Sequence, residues 1–318
     1  MREVELKIQC MSHPSLDTPQ KKQTTFKGTF DLEEPSQELL QWAKENINED
    51  PDTRDLLISE LKDMIYERGE CTPTRTDDEF LLRFLRARHF ILKKAHRLYV
   101  NYHNFMEEAP EYFKNVNLQK LTEIKKTKMF NCPLSRDQSG RRMLIYNIGE
   151  WVPSDFSPTE LIQFVIFLVQ LSMLEQKTQI KGVVALFDLS GLSLEMVWYM
   201  SPTLAKHLVN LAMTSMPCRL EAVHFLYSSW MFDTAFNMVK VLVSPTVTDR
   251  IHFHNDLETL YSHIDPKYLP NSLGGDQEDY SLESWYNDIF EAHSETVKTE
   301  LESLGYPVKE FIDSIDKK

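Results

Sequence analysis

The chain has 318 residues, 42% of them hydrophobic and 26% charged, with a formal net charge of −13 at pH 7. Such a length suits one large domain plus an accessory one, with enough apolar side chain for a sizeable core. The acidic balance argues against nucleic acid, whose phosphates demand a basic surface.

The start, MREVELKIQC, mixes charges and does not read as a secretory signal. The longest greasy run, Leu161 to Leu174, contains Gln163 and Gln170. It falls short of the roughly 20 apolar residues of a membrane span, so a soluble protein is expected. Cys10, Cys71, Cys132 and Cys218 are far apart and lack metal-ligand spacing, which suits reduced thiols in the cytosol.

In chain order, residues 1–30 lack apolar periodicity and read as a leader; Lys21, Lys22 and Lys27 are its basic residues. Residues 31–115 form a helical region, with breaks at Asn48–Pro51 and Gly69–Pro73 and a bend at Pro110. Within it, Thr76 and Glu79 have the spacing of a capping box, and Phe80, Leu81, Phe84 and Leu85 repeat as one helical face. Arg83, Arg86 and Arg88 read as a solvated basic flank of that helix, and His89, His96 and His103, seven residues apart, as solvated polar positions.

After Phe113 the rhythm changes. Arg142–Ile148, Gly182–Leu189, Val223–Ser228 and Arg250–His254 are short β-branched or aromatic runs separated by helical stretches. This alternation predicts crossover units and a largely parallel sheet, with a hairpin partner for the first strand near Lys128–Pro133. Residues 120–275 form this second domain, and 276–318 an acidic segment with a helix from about Ser281 to Leu304, closed by Gly305. From Leu273 to Lys318 there are twelve acidic residues against four basic ones, the pattern of a solvated acidic face.

Two helices stand out. Ser157 and Glu160 form a second capping box with Pro158 at the first helical position, opening LIQFVIFLVQLSML, which is apolar nearly all round. It fits either a core helix or the wall of an apolar pocket. Trp230 to Val243 confines its polar residues to one stripe, Asp233, Asn237 and Lys240. Such a helix hides two surfaces or exposes a greasy patch of the kind that marks membrane or partner contact.

Five motifs in order, FLLRFLRARHF, LIYNIGEW, FDLSG, the Ser201–Lys206 run and the closing Leu269–Gly275, resemble the CRAL-TRIO family of retinaldehyde-, tocopherol- and phospholipid-transfer proteins. The resemblance spans roughly Ser36 to Gly275. It implies an α/β fold: a helical N-terminal domain, then a mixed, largely parallel sheet flanked by helices that enclose an apolar lipid pocket. It also implies a carrier without catalytic residues, cofactor or metal. Such a carrier would be a cytoplasmic monomer that holds one hydrophobic lipid and touches membranes transiently through a gate helix.

On this resemblance the pocket draws on Phe164, Val165, Phe167, Leu168, Val169, Leu171 and Ser172 of the apolar helix. Phe187 and Phe225 come from strands, and Phe232 and Phe236 from the lid. The gate helix comprises Trp230, Met231, Phe232, Phe236, Met238, Val239 and Leu242, with Pro245 as hinge. Tocopherol-binding relatives place serines where Val165 and Val169 stand, so a retinoid, carotenoid, sterol or other weakly polar lipid fits as well. Arg219 and Arg250 match two cations of the family's basic cleft, whereas Glu221 and Thr246 replace two others. Lys206, His207 and Lys240 offer a different anionic-headgroup patch. The alternative function is a trafficking adaptor of the same fold that reads phosphoinositides or anionic membranes.

Enzymatic readings find no nucleophile elbow, phosphate loop or dinucleotide fingerprint. His252 and His254 share a strand face, but no third ligand is evident nearby in sequence. Asp188, beside Ser190–Gly191 at a strand end, reads as a turn former.

Overall fold

A computed structural model describes residues 30–243 and 248–308, apart from the side chains at 290 and 291. The leader with Cys10, Lys21, Lys22 and Lys27, the hinge at Pro245, Thr246 and the last ten residues lie outside that description.

The helical region contains α1 (Gln37–Ile47), α2 (Pro51–Arg68), α3 (Asp78–Ala87) and α4 (Leu92–Glu108). Ser36 caps α1, Asp50 caps α2 with Pro51 behind it, and Asn48 and Gly69 end the two helices in left-handed conformations. The expected capping pair at Thr76 does not form. Asp77 is the cap of α3, its carboxylate accepting from the Phe80 N–H at 3.0 Å, while the Thr76 hydroxyl bonds that of Tyr66. A carboxylate at a helix N-terminus gains from the macrodipole as well as from the hydrogen bond, and so displaces a neighbouring hydroxyl. Nor does the helix run on through this segment. His89 and Phe90 both take positive φ, 54° and 55°, and turn the chain between α3 and α4.

The arginines of α3 are not solvated. Arg86 is fully buried; its Nε and Nη2 donate to Glu49 at 2.9 and 2.7 Å, and its Nη1 donates to Gln179 at 2.8 Å and to Gln176. Arg83 donates to Glu300 at 2.6 Å, and Arg75 donates to the other oxygen of the same carboxylate at 2.7 Å. Both faces of α3 are enclosed, so charges that periodicity assigns to solvent are buried and must be paired. His96 and His103 are buried too; His103 Nδ1 bonds the Tyr99 carbonyl and its Nε2 meets Thr74.

After α5 (Leu118–Lys125) comes a five-stranded sheet in sequential order: β1 (Phe130–Asn131), β2 (Arg142–Asn147), β3 (Val183–Asp188), β4 (Leu220–Leu226) and β5 (Ile251–His254). β1 is antiparallel to β2, and the remaining pairs are parallel, as the alternating pattern predicts. The crossovers carry α6 (Pro158–Ser172) and α7 (Gln176–Lys181), then α8 (Leu194–Trp198) and α9 (Pro202–Val209), then α10 (Trp230–Lys240). The capping box of Ser157 and Glu160 is formed in full. A short α11 (Leu257–Tyr261) follows β5.

α12 (Leu282–Ser303) closes the described chain, kinked at His293. It is more than a solvated acidic face: Leu282, Trp285, Ile289, Val297 and Leu301 are buried, and Glu300 is the carboxylate held by Arg83 and Arg75. A second ion cluster lies between β2 and α7. Glu175 is fully buried and takes Arg142 Nε at 3.0 Å, a further bond from Arg142 Nη2, and the Thr178 hydroxyl at 2.7 Å. The LIYNIGEW and FDLSG motifs meet at their glycines, where a Cβ on Gly149 would lie 2.0 Å from the Ser190 carbonyl oxygen.

Removing one member of a buried pair strands the other's charge. Arg86→Leu should therefore lower unfolding free energy by about 3–5 kcal/mol in urea titration, and adding Glu49→Leu should restore part of that loss.

Candidate functional site

The sheet has two unlike faces because side chains alternate along each strand. Met143, Ile145, Val184, Leu186, Ala222 and Leu226 pack beneath it against Leu260, Ile264, Leu269 and Leu273. On the other face the register aligns Tyr146, Phe187, Phe225 and Phe253 across four adjacent strands. Their rings stack in a row, with centroids 4.6, 5.0 and 5.7 Å apart and planes within 12–23° of parallel. Offset stacking of this kind adds roughly 0.5–1.5 kcal/mol per pair beyond burial. Phe187 and Phe225 remain half-buried.

α10 lies over one end of this row. Phe232 sits 4.8 Å and Phe236 5.8 Å from the Phe225 ring, and Phe236 lies 5.2 Å from Phe253. The stripe of Asp233, Asn237 and Lys240 faces water, and Met231, Met238 and Val239 are half-buried. The helix also leaves apolar groups outside: Trp230 is 67% exposed, and just beyond its end Val241 is 81% and Leu242 44% exposed. Beside it on α8, Trp198 is 84% exposed and borders, with Glu195 and Tyr199, an open depression of about 470 Å³.

α6 packs against protein on two sides. Phe164 lies 4.9 Å from Phe130, and Phe167 packs on Tyr286 and Tyr306. With Leu168 and Leu171 these rings are fully buried in the core that also holds α5 and α12. Ile162 and Ile166 join the helical-domain core instead. Ser172 donates to the Leu168 carbonyl at 2.8 Å, so its hydroxyl proton is spent within α6. Val165 and Val169 are half-buried and lie where the two cores meet.

Three of the four cations expected to hold an anionic headgroup have partners within the chain. Arg219 pairs with Glu221 at 3.0 Å and donates to the Ile180 carbonyl. Arg250 donates to the Leu220 carbonyl at 2.8 Å, and Lys206 to Glu108 at 2.5 Å. Lys240 is exposed. His207 is buried against the Tyr112 hydroxyl and leaves the proposed patch. Burial, and then Arg250, lowers the Arg88 guanidinium, so a third cation shares this neighbourhood.

Sequence reading passed over Tyr146 and Phe253, although their positions on predicted strands, in phase with Phe187 and Phe225, carried the signal. It also assigned no third histidine to His252 and His254. The fold brings His224 and His263 to them, with ring centroids 4.4 to 5.4 Å apart.

Two family models match the chain: CRAL/TRIO, N-terminal domain, over residues 35–101, and CRAL/TRIO domain over residues 126–275. The chain is similar to alpha-tocopherol transfer protein-like of Mus musculus, with 29% identity over 83% of this chain and 77% of that protein. It is similar to clavesin-1 of Xenopus laevis, with 29% identity over 78% and 76% of the two chains. It is likewise similar to clavesin-2 of Homo sapiens, with 26% identity over 89% and 88%.

Glu221 neutralises Arg219, with which it pairs at 3.0 Å. Glu221→Gln should therefore strengthen sedimentation with anionic vesicles about fivefold at low salt, the scale of one basic residue near an anionic surface, with the gain lost at high salt.

Proposed function

Because the chain belongs to the CRAL/TRIO family, we propose that it carries one weakly polar, hydrophobic lipid between the aromatic face of the sheet and α6. α10 is the cover, and exchange with a membrane occurs when it lifts. The observation that carries this reading is the placement of α10, whose Phe232 and Phe236 rest on the aromatic row while Trp230 and Val241 stay in solvent. A helix apolar on both sides can move from one greasy surface to another without stranding charge, because its charged residues, Asp233 and Lys240, lie on one narrow stripe.

Burial supplies the affinity. Removing about 300 Å² of apolar ligand surface from water yields roughly 7 kcal/mol before the costs of association. Val165 and Val169 at the junction of the cores, with Phe187 and Phe225 on the sheet, are the half-buried apolar groups best placed to touch the ligand. Phe164, Phe167, Leu168 and Leu171 then support the wall from behind. Valines at the two α6 positions offer no hydroxyl to a polar ring substituent, which favours cargo held by shape alone. The adaptor reading needs free cations, and Arg219 and Arg250 are both engaged by neighbouring carbonyls.

Native mass spectrometry and lipid extraction of protein purified from lipid-rich cells should reveal one stoichiometric hydrophobic molecule. Phe236→Asp should abolish loading while leaving helicity intact; full loading of that variant would sink the assignment of α10. Empty protein that sediments with anionic vesicles would favour the adaptor instead.

A further inference from the structure

β4 and β5 carry different chemistry on their two faces. Phe225 and Phe253 point toward α10, and their neighbours along the strands, His224, His252 and His254, point the other way. His263, just past α11, completes a group of four imidazoles. His224 Nδ1 and His254 Nε2 are 2.9 Å apart, a hydrogen bond across the strand pair that needs a lone pair on one of the two facing nitrogens. β5 is four residues long, so this bond adds to a short backbone ladder and to the Phe225–Phe253 stack in tying it to β4. α10 is the crossover between these two strands.

We propose that the histidine cluster is an acid-sensitive latch that holds β4 to β5 beneath α10 and lets go when the imidazoles gain protons. Once both His224 and His254 are imidazolium, two N–H groups face each other across 2.9 Å, and two further imidazoles stand within 5.4 Å. The surrounding charge offers little relief. Arg141 adds positive potential, and its own partner is Asp137. Asp256, the cap of α11, is the carboxylate that favours a charged His254.

Burial, followed by the neighbouring rings, pushes His224 down to about 3 and His254 down to about 4, and it lowers His252 as well. These groups are neutral in the closed state, whereas in an opened segment they would titrate near 6.5. The latch is therefore intact above about 6.5 and is lost as pH falls from there toward 4. Each released imidazole favours opening about tenfold per pH unit in that window, and His224 and His254 together about a hundredfold. The ligand of the cluster is the proton: the rings of His252 and His254 stack on His224 at 22° and 24°, and among the described residues no group of three is arranged to hold a metal ion.

The latch does not depend on the carrier reading; acid-driven release of cargo would be its consequence if that reading holds. Hydrogen–deuterium exchange of the full chain, corrected for intrinsic pH dependence, tests it without any ligand. Between pH 7.5 and 5.5, peptides spanning Leu220–His254 should lose at least tenfold in protection while Arg142–Asp188 keeps its own. His224→Gln with His254→Gln should remove that selective loss. Parallel loss in both regions, or none in either, overturns the latch. Should the double variant misfold, the wild-type imidazole C–H resonances decide: His224 and His254 titrating near 6.5 in the closed protein would also overturn it.

Discussion

Everything else in this molecule hangs on the buried Arg86 fork. One guanidinium joins the turn between α1 and α2, through Glu49, to α7 of the sheet domain, through Gln176 and Gln179. A planar, permanently charged fork can hold both oxygens of the Glu49 carboxylate while its remaining nitrogen serves the two glutamines, a geometry that the compact ammonium of a lysine does not reproduce. Its neighbour in the fold is the Glu175 cluster, which fixes the other side of α7 to β2. The two clusters clamp one short helix between them, so the helical domain and the sheet cannot shift independently. Arg83 and Arg75 extend the same logic to the far end of α12.

Backbone organisation was legible because it follows from local rules. Strand runs alternating with helices gave the parallel order, the turn-rich SRDQSGRR pointed to β1, and Ser157, Glu160 and Pro158 marked the start of α6. What escaped was the environment of polar residues. Periodicity places Arg83 and Arg86 off the apolar stripe of α3, yet it cannot say that a second layer of protein covers that flank. Seven-residue spacing likewise cannot show that His96 and His103 are buried. The break at His89 and Phe90 carries no glycine or proline to mark it, and although histidine is among the residues enriched at positive φ, phenylalanine there is rare.

The candidate site divides along the same line. Phe187, Phe225, Phe232 and Phe236 were visible as aromatic positions on a strand or lid pattern, and the structure brings them together. The all-round apolarity of α6 did not reveal which side meets which partner. Much of it is consumed by α5 and α12, elements distant in sequence, and two valines are left at the junction of the cores. The histidines under β4 and β5 become a group only when register is known, because strands thirty residues apart must align by two-residue steps.

β5 is the outermost strand of the described sheet, short, and capped by a half-exposed Phe253. An uncovered strand edge beside an apolar side chain is a template for pairing with another chain. With α10 lifted, edge and row would be bared together, and one copy could add its strand to another's. If α10 lifts as proposed, the opened molecule would stay soluble only while a bilayer or a cargo molecule occupied the surface that α10 had left.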